Sequence, residues 1–151
     1  MAFVVQPFDP RSVLLAKHAQ HVVLVHFPIA LYIAGVLFDF LSRGKKQRAL
    51  AFAAYFNISL AALSTIPVIA TGLLAWQFAL EGQKLKGALL LHLLFGWASG
   101  LVICLSWWIQ RRSRLAPSDV LPAYRLAVEA LGVCLVALTG HLGGFLTGVN
   151  V

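Results

Sequence analysis

The chain has 151 residues, of which 60% are hydrophobic and 11% are charged, and its mean hydropathy is +0.86. Soluble domains carry about 25% charged residues, so this composition excludes an ordinary soluble protein. The net charge of +7 comes from short basic connections between apolar stretches. No basic surface interleaved with aromatic residues accompanies it, so we do not expect nucleic acid as a partner.

Four apolar stretches, approximately residues 22–41, 50–80, 88–110 and 121–145, are each near the ~20 residues that cross a hydrocarbon core. The connections between them are short, which forces neighbouring spans to run antiparallel. The sequence therefore predicts an all-α membrane protein, an up-down bundle of four transmembrane helices. The whole chain, residues 1–151, is expected to form this one domain, with residues 1–20 as an interfacial segment. Pro28 removes a helical hydrogen bond, so the first span should kink or begin near His26.

The basic residues are distributed unequally between the two sides of the predicted bundle. Eight lie on the side of the first and third connections and four on the other. Because cytoplasmic loops of membrane proteins are enriched in Lys and Arg, both termini are expected on the outer, periplasmic side of a bacterial inner membrane. The eight are Arg43, Lys45, Lys46, Arg48, Arg111, Arg112, Arg114 and Arg125, and the four are Arg11, Lys17, Lys84 and Lys86.

Four histidines fall in the outer third of this predicted bundle. His21 and His26 lie at the outer end of the first span, His92 is five residues into the third, and His141 is close to the end of the fourth. Histidine is costly inside a bilayer, so such a group indicates a functional site. Asp39 and Glu129 are placed toward the other side, and Glu129 is expected to pair with Arg125 four residues before it.

Neutral imidazoles without a nearby carboxylate favour a bound metal or heme over hydrolytic zinc. The chain contains no Ser-His-Asp arrangement, no Gly-rich phosphate loop and no H-E-x-x-H, so no catalytic residue is assigned and independent catalysis is not expected. Heme b fits, because two histidines from different helices can bind its iron from opposite sides. The candidate metal ligands are His92, His141 and His26. Six further residues are candidates for contact with the cofactor. His21 and Lys84 are expected near the heme propionates, and Gly96 and Gly144 would leave space for a flat ligand. Trp76 and Trp97 are expected to pack against the porphyrin ring.

The string HVVLVHFPIALYIAGVLFD resembles the opening of an uncharacterised family of bacterial four-helix membrane proteins with a His-x4-His-Phe-Pro-Ile-Ala-Leu signature. ATGLLAWQ, LLLHLLFGW and HLGGFLTGVNV resemble its remaining blocks, so the similarity covers nearly the whole chain. Val22 stands where members usually have proline. The resemblance implies a four-span fold, shared histidine positions and a redox association.

These observations predict a b-type cytochrome-like membrane subunit that binds heme near the outer face. Its expected partners are other subunits of a redox complex, a periplasmic c-type cytochrome or dehydrogenase, and quinone. Two alternatives stay open. The first is a structural, non-catalytic accessory subunit of a respiratory or photosynthetic complex. The second is a protein that handles copper or iron without a porphyrin.

Overall fold

The computed structural model describes residues 17–45, 47–116 and 121–148, and the regular structure in these ranges is entirely helical. Residues 1–16 of the predicted interfacial segment lie outside the described residues. The helices are α1 (Lys17–Leu24), α2 (His26–Lys45), α3 (Arg48–Leu74), α4 (Gly87–Leu115) and α5 (Arg125–Leu146), and a π-helical turn, Ala75–Ala79, prolongs α3.

Four helices are long and apolar enough to cross a membrane, which confirms the predicted fold class. The candidate spans are Ala19–Arg43, Arg48–Phe78, Gly87–Leu115 and Arg125–Leu146. The last begins four residues later than the sequence predicts. Pro122 lies in a turn there, and its carbonyl accepts a hydrogen bond from the Arg125 backbone N–H at 3.2 Å.

The first span is broken where Pro28 predicts it. Val25 separates α1 from α2, because the proline has no N–H for the carbonyl of Leu24. His26 Nδ1 donates instead to the carbonyl oxygen of Val22 at 2.7 Å. Pro67, by contrast, lies inside α3, which continues as a helix to Leu74. The break at Val25 makes α1 a separate short helix at the entrance of the bundle.

The bundle consists of two antiparallel hairpins. Helix α2 packs along α3, α4 packs along α5, and the two hairpins meet mainly through α3 and α4. Helix α1 packs against α3, as α2 does. Each end of the bundle therefore collects residues that are far apart in the sequence.

The two ends differ in their side chains. The histidine end, where α2 and α4 begin, carries His21, His26, His92 and His141. The opposite, arginine end carries Arg43, Arg48, Arg111, Arg112, Arg114 and Arg125. Three of these arginines lie over aromatic rings, with the guanidinium carbon 4.6–5.3 Å from the ring centroid. Aromatic and basic side chains at one level are typical of a membrane–water interface.

The outer surface of the bundle is apolar, whereas its interior is mixed. Large apolar side chains such as Ile66, Leu101 and Phe52 are more than 60% exposed. The interior contains a hydrophobic cluster and, beside it, polar and charged groups, because lipid offers such groups no hydrogen bonds. The buried polar and charged residues are Asp39, Thr65, Ser99, Ser106, Gln110, Arg125, Glu129 and Thr139.

The strongest of these interior contacts is an ion pair between the hairpins. Arg125 Nη2 lies 2.9 Å from Asp39 Oδ2, and Nε and Nη2 donate to the two carboxylate oxygens at 3.0 and 3.1 Å. Arg125 therefore pairs with Asp39 on α2, and the expected ion pair with Glu129 is not the one formed in the described part of the chain. The pair is also buried, so Arg125 does not act as a loop cation.

The closest approaches between helices at the described glycines are at Gly132 and Gly35. A Cβ at Gly132 would collide with the Tyr32 hydroxyl, and one at Gly35 would lie 2.6 Å from Ile58 Cγ1. At Gly140, in contrast, a Cβ would meet no atom within 4 Å. These two contacts lie within the interior of the bundle, where α2 meets α3 and α5.

Gly132→Ala should destabilise the protein, because overpacking typically costs about 1–3 kcal/mol and outweighs the ~1 kcal/mol that alanine gains in a helix. Gly140→Ala is the matched control and should be unchanged or slightly more stable. Thermal unfolding of both variants in one detergent would measure the difference. Equal melting temperatures would contradict the close contact between Gly132 and Tyr32.

Asp39→Asn should lower the melting temperature strongly, since removing one partner of a buried ion pair costs about 3–5 kcal/mol. Glu81→Gln, at an exposed acid in the connection between α3 and α4, is the control and should be neutral. The double variant Asp39→Asn/Arg125→Met should be more stable than Asp39→Asn alone, because no unpaired charge then remains. An Asp39→Asn protein that melts like the wild type would contradict a stabilising pair.

Candidate functional site: a histidine pair between the hairpins

Two of the four histidines face each other across the gap between the hairpins. The rings of His21, on α1, and His92, on α4, have centroids 6.5 Å apart and planes at 86°. His21 lies on α1, which packs against α3 as the N-terminal part of the first candidate span. Val25 separates this short helix from α2.

His92 is oriented by the neighbouring helix of its own hairpin. Its Nδ1 lies 3.1 Å from the backbone carbonyl oxygen of Thr139 on α5. Since a carbonyl oxygen only accepts, Nδ1 carries the proton and Nε2 carries the lone pair. A Cβ at Gly143 would lie 3.3 Å from His92 Cε1, so this glycine lets α5 approach the ring.

His21 is oriented by α3 in the same manner. Its Nδ1 lies 3.3 Å from Thr71 Oγ1, and that hydroxyl donates to the carbonyl oxygen of Pro67 at 2.8 Å. With the hydroxyl hydrogen used in this way, His21 Nδ1–H is the donor, and Nε2 is again the ring atom with the lone pair. Gly72 provides the space, because a Cβ there would lie 2.9 Å from His21 Cε1.

The pair therefore has the properties of a two-nitrogen ligand set. Both rings are held by a hydrogen bond at Nδ1, the arrangement that commonly fixes histidine ligands of metals. Thr71, Thr139, Gly72 and Gly143 support the rings, and sequence reasoning did not identify any of them. Their role depends on contacts between helices, although Thr71 and Gly72 lie in ATGLLAWQ and Gly143 lies in HLGGFLTGVNV, two of the strings that resemble the family.

The structure places His26 and His141 differently. Both are exposed: His26 bonds to the carbonyl of Val22, and His141 lies edge-on to Phe145 with ring centroids 4.9 Å apart. Both lie at the same end of the bundle as the pair. The hydrogen bond of His26 to Val22 joins α2 to α1, and the ring contact of His141 with Phe145 lies within α5. In the described ranges, no group of three or more His, Cys, Asp or Glu side chains could hold a metal ion.

The remaining candidate residues surround this end at various depths. Gly96 is half-buried, and a Cβ there would lie 3.9 Å from Thr139 Cγ2. Trp97 is 45% exposed. Trp76 Nε1 donates to the carbonyl of Gln83 at 3.0 Å, close to the exposed Lys84. Gly144 is half-buried and accepts a hydrogen bond from the Thr147 hydroxyl at 3.2 Å.

A small cavity of about 60 Å³ lies inside the bundle between the four spans. Its walls include Gly96 and Gly100, together with the hydroxyl-bearing Thr65, Ser99 and Thr139. A larger apolar groove of about 360 Å³ opens to the lipid side between α2 and α3, and no histidine lines it. Neither histidine of the pair lines this cavity or this groove.

Four apolar helices around a polar interior, with a histidine pair at one end, define a four-helix membrane protein. Residues 17–149 match the family of predicted membrane proteins described as DUF2231, and the chain belongs to that family. Comparison with curated proteins and with solved structures gives no match.

Proposed function

We propose that this protein is a b-type cytochrome-like membrane subunit in which His21 and His92 bind the iron of heme b. The observation that supports this most directly is the 6.5 Å separation of the two ring centroids. Two imidazoles that bind one metal atom from opposite sides, with bonds of roughly 2.0–2.1 Å, have centroids about 6 Å apart. The pair also joins two hairpins, as expected for a ligand held between helices of a bundle.

The residues around the pair suit this role chemically. Both Nε2 atoms point their lone pairs away from the Nδ1 hydrogen bonds that orient the rings. Lys84 and Lys86, exposed at the same end, offer positive charge to propionate groups. Trp76 and Trp97 offer aromatic surface nearby. Heme b, when bound, supplies one-electron transfer, and the protein supplies ligands and surroundings.

The orientation we propose follows from charge. If the arginine end lies in the cytoplasm, as the positive-inside rule favours, the histidine pair lies near the periplasmic face of the bacterial inner membrane. One site at one end cannot carry electrons across the bilayer alone. The partners are therefore a periplasmic c-type cytochrome or dehydrogenase, quinone, or further subunits of a redox complex that complete the path.

A second candidate is binding of a copper or iron ion without a porphyrin. The proximity of the two rings supports it, because two imidazoles can hold a single ion directly. A non-catalytic accessory subunit of a respiratory or photosynthetic complex is the third. Its supporting observation is the large exposed apolar surface, which could pack on neighbouring subunits as well as on lipid.

The purified protein should show a reduced-minus-oxidised b-type spectrum with about one heme per chain in a pyridine hemochrome assay. His21→Ala and His92→Ala should each lose the heme, since each removes a ligand. His26→Ala and His141→Ala are the matched controls, at exposed positions of the same end, and should retain it.

Three other results would favour a different ligand pair or one of the two other candidate functions. Heme lost in His141→Ala but kept in His21→Ala would replace our ligand pair with His92 and His141. A flat spectrum with about one copper or iron ion per chain would favour the second candidate. A flat spectrum without metal, in folded protein, would favour the accessory subunit.

A further inference from the structure

The arginine end contains a second polar group that the proposed heme site does not use. Glu129, on α5, is fully buried, and its Oε1 accepts a hydrogen bond from Gln110 Nε2 on α4 at 2.8 Å. Tyr32, on α2, closes the group: its hydroxyl lies 2.8 Å from Ser106 Oγ and donates to the Glu129 backbone carbonyl at 3.4 Å. Side chains of α2 and α4 thus contact Glu129 of α5, at its backbone carbonyl and at its carboxyl group respectively.

Two oxygen atoms in this group have no hydrogen-bond partner among the described residues. They are Glu129 Oε2 and Gln110 Oε1, both buried and both on side chains already joined by one hydrogen bond. An unsatisfied buried acceptor typically costs about 1–3 kcal/mol. A proton on Glu129 Oε2 would create an O–H donor, and Gln110 carries the other unpartnered buried oxygen. The Asp39 carboxyl group also lies within hydrogen-bonding reach of Glu129. A carboxylic acid and a primary amide can then form two hydrogen bonds side by side.

The charges around Glu129 also favour a protonated, uncharged Glu129 side chain. Arg125, one turn earlier on α5, is already matched by Asp39 of α2 in the bidentate ion pair. From α4, Gln110 and Ser106 are uncharged, and Arg114 donates to the carbonyl of Ala51 and stacks on Tyr55, both on α3. An ionised Glu129 would add a negative charge to a cluster that is already neutral, which is costly inside a membrane protein.

We propose that Glu129 and Gln110 form a proton-binding site, in which Glu129 is a neutral carboxylic acid bonded to the amide of Gln110. The ligand is H⁺: one proton adds to the carboxylate oxygen, and no other bond changes. Release of the proton would place a second carboxylate one turn from Arg125, in competition with Asp39. The site therefore links protonation to the ion pair between the hairpins, and it does not depend on heme at the other end.

Infrared spectroscopy tests the site in the full-length protein in lipid nanodiscs at neutral pH. The wild-type minus Glu129→Gln difference spectrum should contain a carboxylic acid C=O band that shifts in ²H₂O. Glu81→Gln, at the exposed glutamate, should leave that band in place. A wild-type protein without the band, or a band that persists in Glu129→Gln, would overturn the proposal.

Isotope labelling gives the same test without a variant. The chain has two glutamates, Glu81 and Glu129, so ¹³C-carboxyl glutamate should move the band to lower frequency. A band that does not move belongs to an aspartic acid and would contradict the assignment. A band that disappears when NaCl is added at constant pH would show that a metal cation occupies the site instead of a proton.

Stability provides an independent readout. Glutamine at position 129 can accept from Gln110 Nε2 and donate to Gln110 Oε1, so Glu129→Gln should melt close to the wild type. Were Glu129 ionised and needed by Arg125, the same substitution would lower the melting temperature as Asp39→Asn does, and the proposal would fail.

Discussion

The ion pair between Asp39 and Arg125 is the interaction on which the arrangement of the bundle depends most. It joins α2 of the first hairpin to α5 of the second, and contact between these two helices is otherwise limited. In water such a pair would gain little, but in a bilayer each charge needs a partner inside the protein. Breaking the pair would leave a buried charge, so the relative position of the hairpins is constrained at the arginine end.

The histidine end is organised by hydrogen bonds and close packing, which are weaker than the ion pair. A break at Val25 interrupts the first span, α1 packs against α3, and the rings of His21 and His92 face each other. Thr71 and the Thr139 carbonyl hold the two rings, while Gly72 and Gly143 leave room for them. The proposed cofactor site therefore lies at the histidine end, and the proposed proton site lies at the arginine end.

The predictions that succeeded concern properties of individual helices. Apolar stretches of sufficient length identify four spans, and the missing N–H of Pro28 identifies the break near His26, because both effects act within one helix. The selection of ligand residues within the candidate site stays a prediction. His21 was expected in a supporting role, yet the structure places it opposite His92, while the rings of His26 and His141 are exposed.

The partner of Arg125 shows why such selections are difficult. A spacing of four residues favoured Glu129, but Asp39, 86 positions away in the chain, is the residue that the guanidinium meets. The sequence by itself determined the membrane class, the four helices and the collection of histidines at one end, since these follow from composition and from antiparallel connections. Only the tertiary structure decided which side chains meet, because that depends on the rotation of each helix about its axis and on the packing between hairpins.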